Sequence, residues 1–275
     1  MPKYDILFID MDGTLLGADH LTISERTRRA LKAAQEAGVK LAVASGRTLQ
    51  ILPSAIWEAD FDYALVSNGA AVFDIRTGKK VCCNPFPADA ARKAYELIAP
   101  EAHFLEFFVD GEILLSREHD EWQKTHDIAI WHRLYFDKGT HPVVETYDEF
   151  LAAGAPGLEK INLIRHEREI VKRAHARLTE TGMFNLSDST GRSIEINAAG
   201  CTKGTGIRAF CEATGIPLAR TVGFGDESND IDMMRTVGCG VAMGNAIPRI
   251  KELAKYVTAA NTEDGVAKFI EEYVL

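Results

Sequence analysis

Two aspartates near the amino terminus, Asp10 and Asp12, are the residues of this sequence best suited to chemistry. They directly follow the apolar run 6–9, which predicts a buried strand, and Gly13 and Thr14 end that run. Both carboxylates are therefore expected at the carboxyl end of a strand, where open α/β sheets hold their active sites. Two carboxylates this close repel one another, so the pair indicates a divalent cation bound by oxygen ligands. A polar turn that simply ends the strand is the structural alternative.

Three further polar clusters occupy comparable positions in the chain. Ser45 and Gly46 come directly after the apolar run 39–44, and the acidic segment 225–230 comes directly after the run 221–224. Lys203 opens a helix predicted over 203–214. Each of these short patterns is common by itself. They are informative because each lies at the end of a predicted strand or the start of a predicted helix. The carboxyl ends of parallel strands meet at one edge of a sheet, so residues some two hundred positions apart are expected to converge there.

The predicted elements divide the chain into an outer part and an insertion. In residues 1–84 and 197–275, apolar strands alternate with helices, which predicts an α/β core with a doubly wound, mainly parallel sheet. A capping-box pattern at residues 22–25 predicts the start of the first helix. Residues 85–196 predict amphipathic strands, a hairpin around Asp110 and Gly111, and helices over 88–98 and 167–181. This α+β segment is predicted to form a separate, antiparallel domain inserted into the core.

Composition and charge narrow the class of protein. The chain has 275 residues, of which 46% are hydrophobic and 26% charged, as in ordinary globular proteins. A net charge of −9 argues against nucleic acid as a partner, because a phosphate backbone needs a basic surface. The odd number of cysteines, without a CxxC pair, favours free thiols in a reducing compartment. The sequence shows no signal peptide and no apolar run of membrane-spanning length, so we expect a cytoplasmic protein without a membrane partner.

Together the four clusters resemble the motifs of the haloacid dehalogenase (HAD) superfamily. DMDGTL at 10–15, SGR at 45–47, TKG at 202–204 and GDESND at 225–230 occur in the order and context of that superfamily. The loop 67–70 and the insertion of roughly 110 residues between the second and third motifs resemble the Cof-type phosphatases, which carry a large cap of the C2 type. The resemblance covers essentially the whole chain. It implies a HAD-like Rossmannoid core with the inserted segment as the cap that sets substrate specificity.

The resemblance also implies a reaction and a metal. It assigns the nucleophile to Asp10, whose carboxylate would attack phosphorus and bind Mg²⁺, and the general acid and base to Asp12. Asp12 would also bind the metal through its backbone carbonyl, and Asp226 would supply a second carboxylate to it. The implied activity is Mg²⁺-dependent hydrolysis of small phosphorylated metabolites, with sugar phosphates first, through an aspartyl phosphate. The alternatives are a phosphotransferase of the same superfamily and a non-catalytic sensor of a phosphorylated ligand.

The remaining motif residues are implied to bind the phosphoryl group. Ser45, the backbone N–H of Gly46, Lys203 and Asn229 would contact its oxygens. Asp230 is expected to orient Lys203 or metal-bound water rather than to bind the metal directly. A structural alternative is that Asn229 and Asp230 only cap the following helix. Arg47 is expected either to reach the phosphate or the loop of Asp10, or to serve packing alone.

One pattern points to a different cofactor. Residues 204–209 fit the GxGxxA pattern of dinucleotide-binding proteins, with Asp226 about twenty positions further on. However, that fingerprint requires its glycines in the first turn between a strand and a helix. Here they follow Lys203, and a loop already precedes them at 197–200. We therefore expect the glycines to bring a helix close to the phosphate, and we do not expect a nicotinamide cofactor.

Overall fold

The computed structural model describes residues 2–128, 130–164, 166–187 and 191–275. These residues form two compact units. The first unit contains the residues up to Arg47, Leu52–Cys83 and Thr202–Leu275, and the second contains Thr48–Ile51 and Asn84–Cys201. One unit is thus built from both ends of the chain, and nearly all of the other lies between them.

The strands, in chain order, are β1 (Ile6–Ile9), β2 (Lys40–Ala44), β3 (Tyr63–Val66), β4 (Ala71–Asp74), β5 (Lys80–Cys83), β6 (Leu105–Val109), β7 (Glu112–Ser116), β8 (Val143–Val144), β9 (Leu158–Leu163), β10 (Phe184–Ser187), β11 (Ile194–Ala198), β12 (Thr221–Gly225), β13 (Cys239–Ala242) and β14 (Tyr256–Val257). The α-helices are α1 (Glu25–Glu36), α2 (Ser54–Glu58), α3 (Ala88–Ile98), α4 (Arg117–Thr125), α5 (Ile130–Phe136), α6 (Tyr147–Ala152), α7 (Arg168–Thr181), α8 (Lys203–Thr214), α9 (Ile231–Thr236), α10 (Pro248–Leu253) and α11 (Gly265–Tyr273).

The first unit is built on an eight-stranded sheet in the order β14-β13-β12-β1-β2-β3-β4-β5. The six strands from β14 to β3 pair in parallel, and β4 and β5 add an antiparallel edge. All four residues of β1 are buried, as expected for a central strand with both faces covered. Helices pack in pairs, α1 with α11 and α8 with α9. The predicted α/β fold class is confirmed.

The second unit contains a six-stranded sheet in the order β10-β11-β9-β6-β7-β8. The predicted hairpin joins β6 and β7, and the sheet is antiparallel except where β8 pairs with β7 in parallel. Helix α3 contacts α6, α7 and β11. Helices α4, α5 and α6 were not predicted from the sequence. They are short, and tertiary packing stabilises them, as where Tyr135 and Phe136 of α5 join a buried apolar cluster.

The start of α1 differs from the prediction. Ser24, not Thr22, caps the helix, and its hydroxyl accepts a hydrogen bond from the backbone N–H of Thr27 at 3.1 Å. The Thr22 hydroxyl instead donates to Asp19 at 2.6 Å, within the preceding loop. The Ser24 hydroxyl also donates to Asp264 at 2.5 Å, a contact that sequence patterns cannot reveal. No helix among the described residues is long and apolar enough to cross a membrane.

Candidate active site

The site lies where the two central parallel strands end. Asp10 directly follows β1, and its backbone N–H donates to the carbonyl of Phe224 in β12 at 3.0 Å. The chain then makes one tight turn over Met11–Leu15, closed by a hydrogen bond from the Leu15 N–H to the Asp10 carbonyl at 3.2 Å. This turn requires glycine at position 13, where φ is +84°. The buried Asp10 side chain is thereby held at the carboxyl edge of the sheet.

Lys203 places a positive charge against this carboxylate from the far end of the sequence. It is the first residue of α8 and is fully buried. The side chain of Thr202 caps the helix and makes a capping box with Thr205. The Lys203 ammonium donates to Asp10 Oδ1 at 2.6 Å and to Asp230 Oδ1 at 2.7 Å. The structure therefore brings together three residues predicted for the site.

Asp226 follows β12 and lies beside the turn Met11–Leu15 that comes after β1. Its Oδ1 accepts a hydrogen bond from the Thr14 hydroxyl at 2.8 Å, and Asn245 Nδ2 lies 3.4 Å from its Oδ2. The same Asn245 amide donates to the carbonyl of Gly13 at 2.8 Å. A Cβ atom at position 13 would lie 2.3 Å from Asp226 Oδ2, closer than any real contact. Gly13 thus has two reasons to be glycine, its φ and the approach of this carboxylate.

Burial dominates the electrostatics of the acidic residues. It raises the pKa of Asp10 well above its ordinary value; Lys203 opposes that rise, and Asp230 and Asp226 add to it. Burial likewise raises the pKa of Asp226 to about 6. Burial by itself would lower the pKa of Lys203, but the neighbouring Asp10 and Asp230 outweigh it and the pKa rises. The cluster holds three carboxylates and one ammonium, which contacts two of them, so its excess of acidic groups favours a cation.

The donor set fits a hard divalent cation. Carboxylate oxygens of Asp10, Asp226 and Asp230 all lie within 4.8 Å of one another. Asp230 is committed elsewhere, because its Oδ1 accepts from Lys203 and its Oδ2 from the backbone N–H groups of Asp226 and Glu227 at 3.0 and 3.2 Å. Asp10 and Asp226 are thus the carboxylates best placed to hold an ion, and oxygen ligands of this kind suit Mg²⁺.

The predicted phosphate-binding residues lie on loops that are tied to one another. Ser45 Oγ accepts a hydrogen bond from the Arg47 N–H at 3.0 Å, and the Ser45 carbonyl accepts one from the Asn68 N–H at 3.0 Å. Asn68 Oδ1 in turn accepts from Asn229 Nδ2 at 3.3 Å. Asn68 adopts φ of +57°, a conformation that asparagine tolerates better than most residues. The loops of Ser45, Gly46 and Asn229 are thus linked through Asn68, to which the sequence assigned no role.

Asp12 lies apart from the cluster of Asp10, Asp226 and Asp230. Its carboxylate makes two hydrogen bonds with the Arg47 guanidinium, from Nη2 to Oδ1 at 2.6 Å and from Nε to Oδ2 at 3.1 Å. Of the expectations for Arg47, contact with the loop of Asp10 is the one observed. The imidazole of His20 lies on the same Oδ1, at 2.9 Å. Sequence analysis missed His20, Thr14 and Asn245, and only Thr14, inside the first motif, had a local signal.

The glycines of the GxGxxA pattern have packing roles in the structure. A Cβ at Gly206 would lie 2.8 Å from the Cα of Gly69, and one at Gly204 would lie 2.3 Å from the Asp232 side chain. Both glycines lie inside α8 rather than in a turn after a strand. They allow this helix to approach the loop 67–69 and α9, which accounts for the pattern without a dinucleotide.

A doubly wound parallel sheet with an acidic cluster and a buried lysine at the carboxyl ends of its central strands defines an α/β enzyme core. Residues 7–270 match the family model for haloacid dehalogenase-like hydrolases. The chain therefore belongs to that family, which confirms the resemblance found in the four motifs, and it is a phosphatase, a hydrolase of phosphoric monoesters.

Individual relatives agree with this assignment. The chain is 31% identical over 278 residues to the putative phosphatase YxeH of Bacillus subtilis, covering 99% of each chain. It is 27% identical to the 5-amino-6-(5-phospho-D-ribitylamino)uracil phosphatase YcsE of the same organism, covering 98% of this chain and 96% of the other. Among solved structures, a sugar phosphatase of HAD subclass IIB superposes with a TM-score of 0.78 at 25% identity, covering 98% of both chains.

Proposed function

We propose that this protein is a Mg²⁺-dependent phosphatase that hydrolyses small phosphorylated metabolites, sugar phosphates first, through an aspartyl phosphate on Asp10. The observation that carries the proposal is the Lys203 ammonium, 2.6 Å from Asp10 Oδ1, in a cluster where Asp10 and Asp226 oxygens lie within 4.8 Å of each other. A carboxylate nucleophile attacking an anionic phosphate needs positive charge on both partners. The cluster supplies an ammonium and a pair of carboxylates suited to a divalent ion.

The proposed reaction has two steps. An Asp10 carboxylate oxygen bonds to phosphorus while the bond from phosphorus to the ester oxygen breaks, and Asp12 gives its proton to that leaving oxygen. Asp12 then takes a proton from water as the water oxygen attacks phosphorus, and the bond to Asp10 breaks to release phosphate. Mg²⁺, bound by Asp10, Asp226 and the Asp12 carbonyl, would neutralise charge on the phosphoryl group. Lys203 stabilises the charge that develops on the phosphoryl oxygens, and Asp230 holds Lys203 in place.

Phosphoryl oxygens are proposed to bind the Ser45 hydroxyl, the Gly46 N–H and the Asn229 amide. The support is the hydrogen-bond chain through Asn68, which holds the loops of Ser45 and Asn229 together. Hydrogen-bond donors that are already in position need no reorganisation during the reaction, so they stabilise the transition state most effectively.

We also propose that the second unit, the cap expected at residues 85–196, selects the organic part of the substrate. Glu106 of β6 and Asn162 of β9 face each other in register and are buried. Asn162 Nδ2 donates to Glu106 Oε2 at 3.4 Å, and Glu106 Oε1 lies 3.3 Å from His132 Nδ1. Burial raises the pKa of Glu106 to about 8. These contacts lie within the unit itself, so the support for a sugar phosphate is the sugar phosphatase among the similar structures.

The test uses purified protein, a panel of phosphorylated metabolites and an assay for inorganic phosphate. We expect phosphate release that depends on Mg²⁺ and is abolished by chelation. Asp10→Asn should fold normally and fall below about one thousandth of the wild-type rate, because removal of a covalent nucleophile costs several orders of magnitude. The matched control is Asp60→Asn, since Asp60 is exposed. Retention of a tenth of the activity by Asp10→Asn would rule out the aspartyl phosphate, and transfer to a sugar without phosphate release would indicate a phosphotransferase.

A further inference from the structure

His20 lies in a loop that is fixed by its own hydrogen bonds. Asp19 Oδ1 accepts from the N–H groups of Leu21 and Thr22, both at 3.0 Å, and the Thr22 hydroxyl donates to Asp19 Oδ2 at 2.6 Å. The Gly17 N–H donates to the Thr22 carbonyl at 2.9 Å, and the His20 N–H donates to the Gly17 carbonyl at 3.0 Å. The backbone at His20 is therefore held from both sides.

The conformation of His20 is uncommon for a residue with a side chain. Its φ is +57°, in the left-handed region, where a residue with a side chain is strained. Glycine adopts this backbone without strain, and histidine, like asparagine, tolerates it better than most residues. A rigid loop holds His20 in this conformation, so its side chain has a fixed position and fixed contacts.

That contact is with the proposed general acid and base. His20 Nδ1 lies 2.9 Å from Asp12 Oδ1, the same oxygen that accepts from Arg47 Nη2 at 2.6 Å. The carbonyl of His20 also lies 3.4 Å from Arg47 Nη2. Imidazole and guanidinium thus meet on one carboxylate oxygen, and the backbone of His20 supports the guanidinium.

Asp12 needs this support because it is not enclosed. Its side chain is 39% exposed, whereas that of Asp10 is 9% exposed, so packing restricts its torsions little. Arg47 reaches it through a long side chain with several rotatable bonds. His20 has two side-chain torsions and stands on a loop closed by hydrogen bonds, so it is a short second tether beside the buried Arg47.

We infer that His20 is a positioning residue that holds the carboxyl group of Asp12 for proton transfer to the leaving group. This inference rests on the proposed function. A catalytic acid acts only when its oxygen lies within hydrogen-bond reach of the leaving oxygen, and small displacements cost much of its effect. Loss of His20 should therefore matter most for substrates whose leaving group needs a proton.

The experiment compares an alkyl phosphate, whose alkoxide needs protonation, with p-nitrophenyl phosphate, whose leaving group does not. His20→Gly keeps the left-handed backbone and removes the contact, and His20→Asn keeps both, because the asparagine amide can take the place of Nδ1. We expect the ratio of kcat/KM on the alkyl ester to kcat/KM on the aryl ester, which reports only the steps up to departure of the leaving group, to fall about fivefold or more in His20→Gly and to stay within about twofold of wild type in His20→Asn. Asp60→Gly, at another exposed residue with φ of +54°, controls for the backbone change.

Two results contradict the inference while the proposed function stands: a wild-type ratio in His20→Gly, or a ratio in His20→Asn as low as that in His20→Gly. The second result would mean that the imidazole does not act through the contact with Asp12. Failure of the wild-type protein to hydrolyse either ester would instead overturn the proposed function, and this inference with it.

Discussion

Replacing Asp226 by Asn should make the metal-free protein more stable. The carboxyl group is buried, and burial raises its pKa from 3.8 to about 6. A rise of that size corresponds to about 3 kcal/mol of destabilisation at neutral pH, because the charged form is disfavoured in the folded state. The asparagine keeps an acceptor for the Thr14 hydroxyl, but its amide would face that of Asn245, which offsets part of the gain. We expect a net gain of about 2 kcal/mol in the free energy of unfolding.

The pH dependence follows from the direction of the pKa change. Above pH 6 Asp226 is charged in both folded and unfolded chains, and the full cost of burying it is present. Below its unfolded pKa of 3.8 it is neutral in both, and the cost disappears. The stability advantage of Asp226→Asn should therefore be largest at pH 7–8 and fade as the pH falls from about 6 towards 4.

The assay is urea unfolding in a chelator and again with Mg²⁺, at several pH values. Mg²⁺ should stabilise the wild type, by about 2.7 kcal/mol at one hundred times its Kd, and should have much less effect on the variant. Asp62→Asn is the matched control, because Asp62 is equally buried but accepts from Lys40 Nζ at 2.9 Å and from the Leu41 N–H at 3.0 Å. Asp62→Asn should be less stable than the wild type, and Mg²⁺ should stabilise it by the same amount as it stabilises the wild type. A variant at 226 that is less stable than wild type at pH 8 in chelator, or equally shifted at every pH, would refute the reasoning.

Two further predictions concern the neighbours of these carboxylates. Lys203→Met leaves the buried Asp10 and Asp230 without their shared ammonium. We expect urea unfolding in chelator to show a free energy of unfolding lower by about 3–5 kcal/mol, and turnover to fall about 10²-fold or more. Unchanged stability would contradict the burial argument. Gly13→Ala forces a Cβ against Asp226 at a φ of +84°, so Mg²⁺ binding measured by calorimetric titration should weaken about tenfold or more. The control is Gly38→Ala, at a φ of +90° with open space around it, which should change only stability.

Much of the fold could be predicted because its signals are local. Helices α3 and α8 begin and end at the predicted residues, since apolar periodicity, caps and turn residues mark them. The short helices α4, α5 and α6 escaped prediction, because packing rather than sequence periodicity stabilises them. Thr22 was mistaken for the cap of α1 because Thr22 and Ser24 both carry a hydroxyl that could cap a helix. In the structure Ser24 is the cap, and it also contacts Asp264.

The sequence by itself determined the residue types of the site and their places at strand ends and helix starts, because each motif is a few adjacent residues with one local geometry. Only the tertiary structure decided which of them touch. It placed Lys203 between Asp10 and Asp230, left Asp226 to face Gly13, and set Arg47 and His20 on Asp12. The physical reason is that charge, burial and hydrogen-bond direction act over distances in space, and most of these pairs lie far apart along the chain.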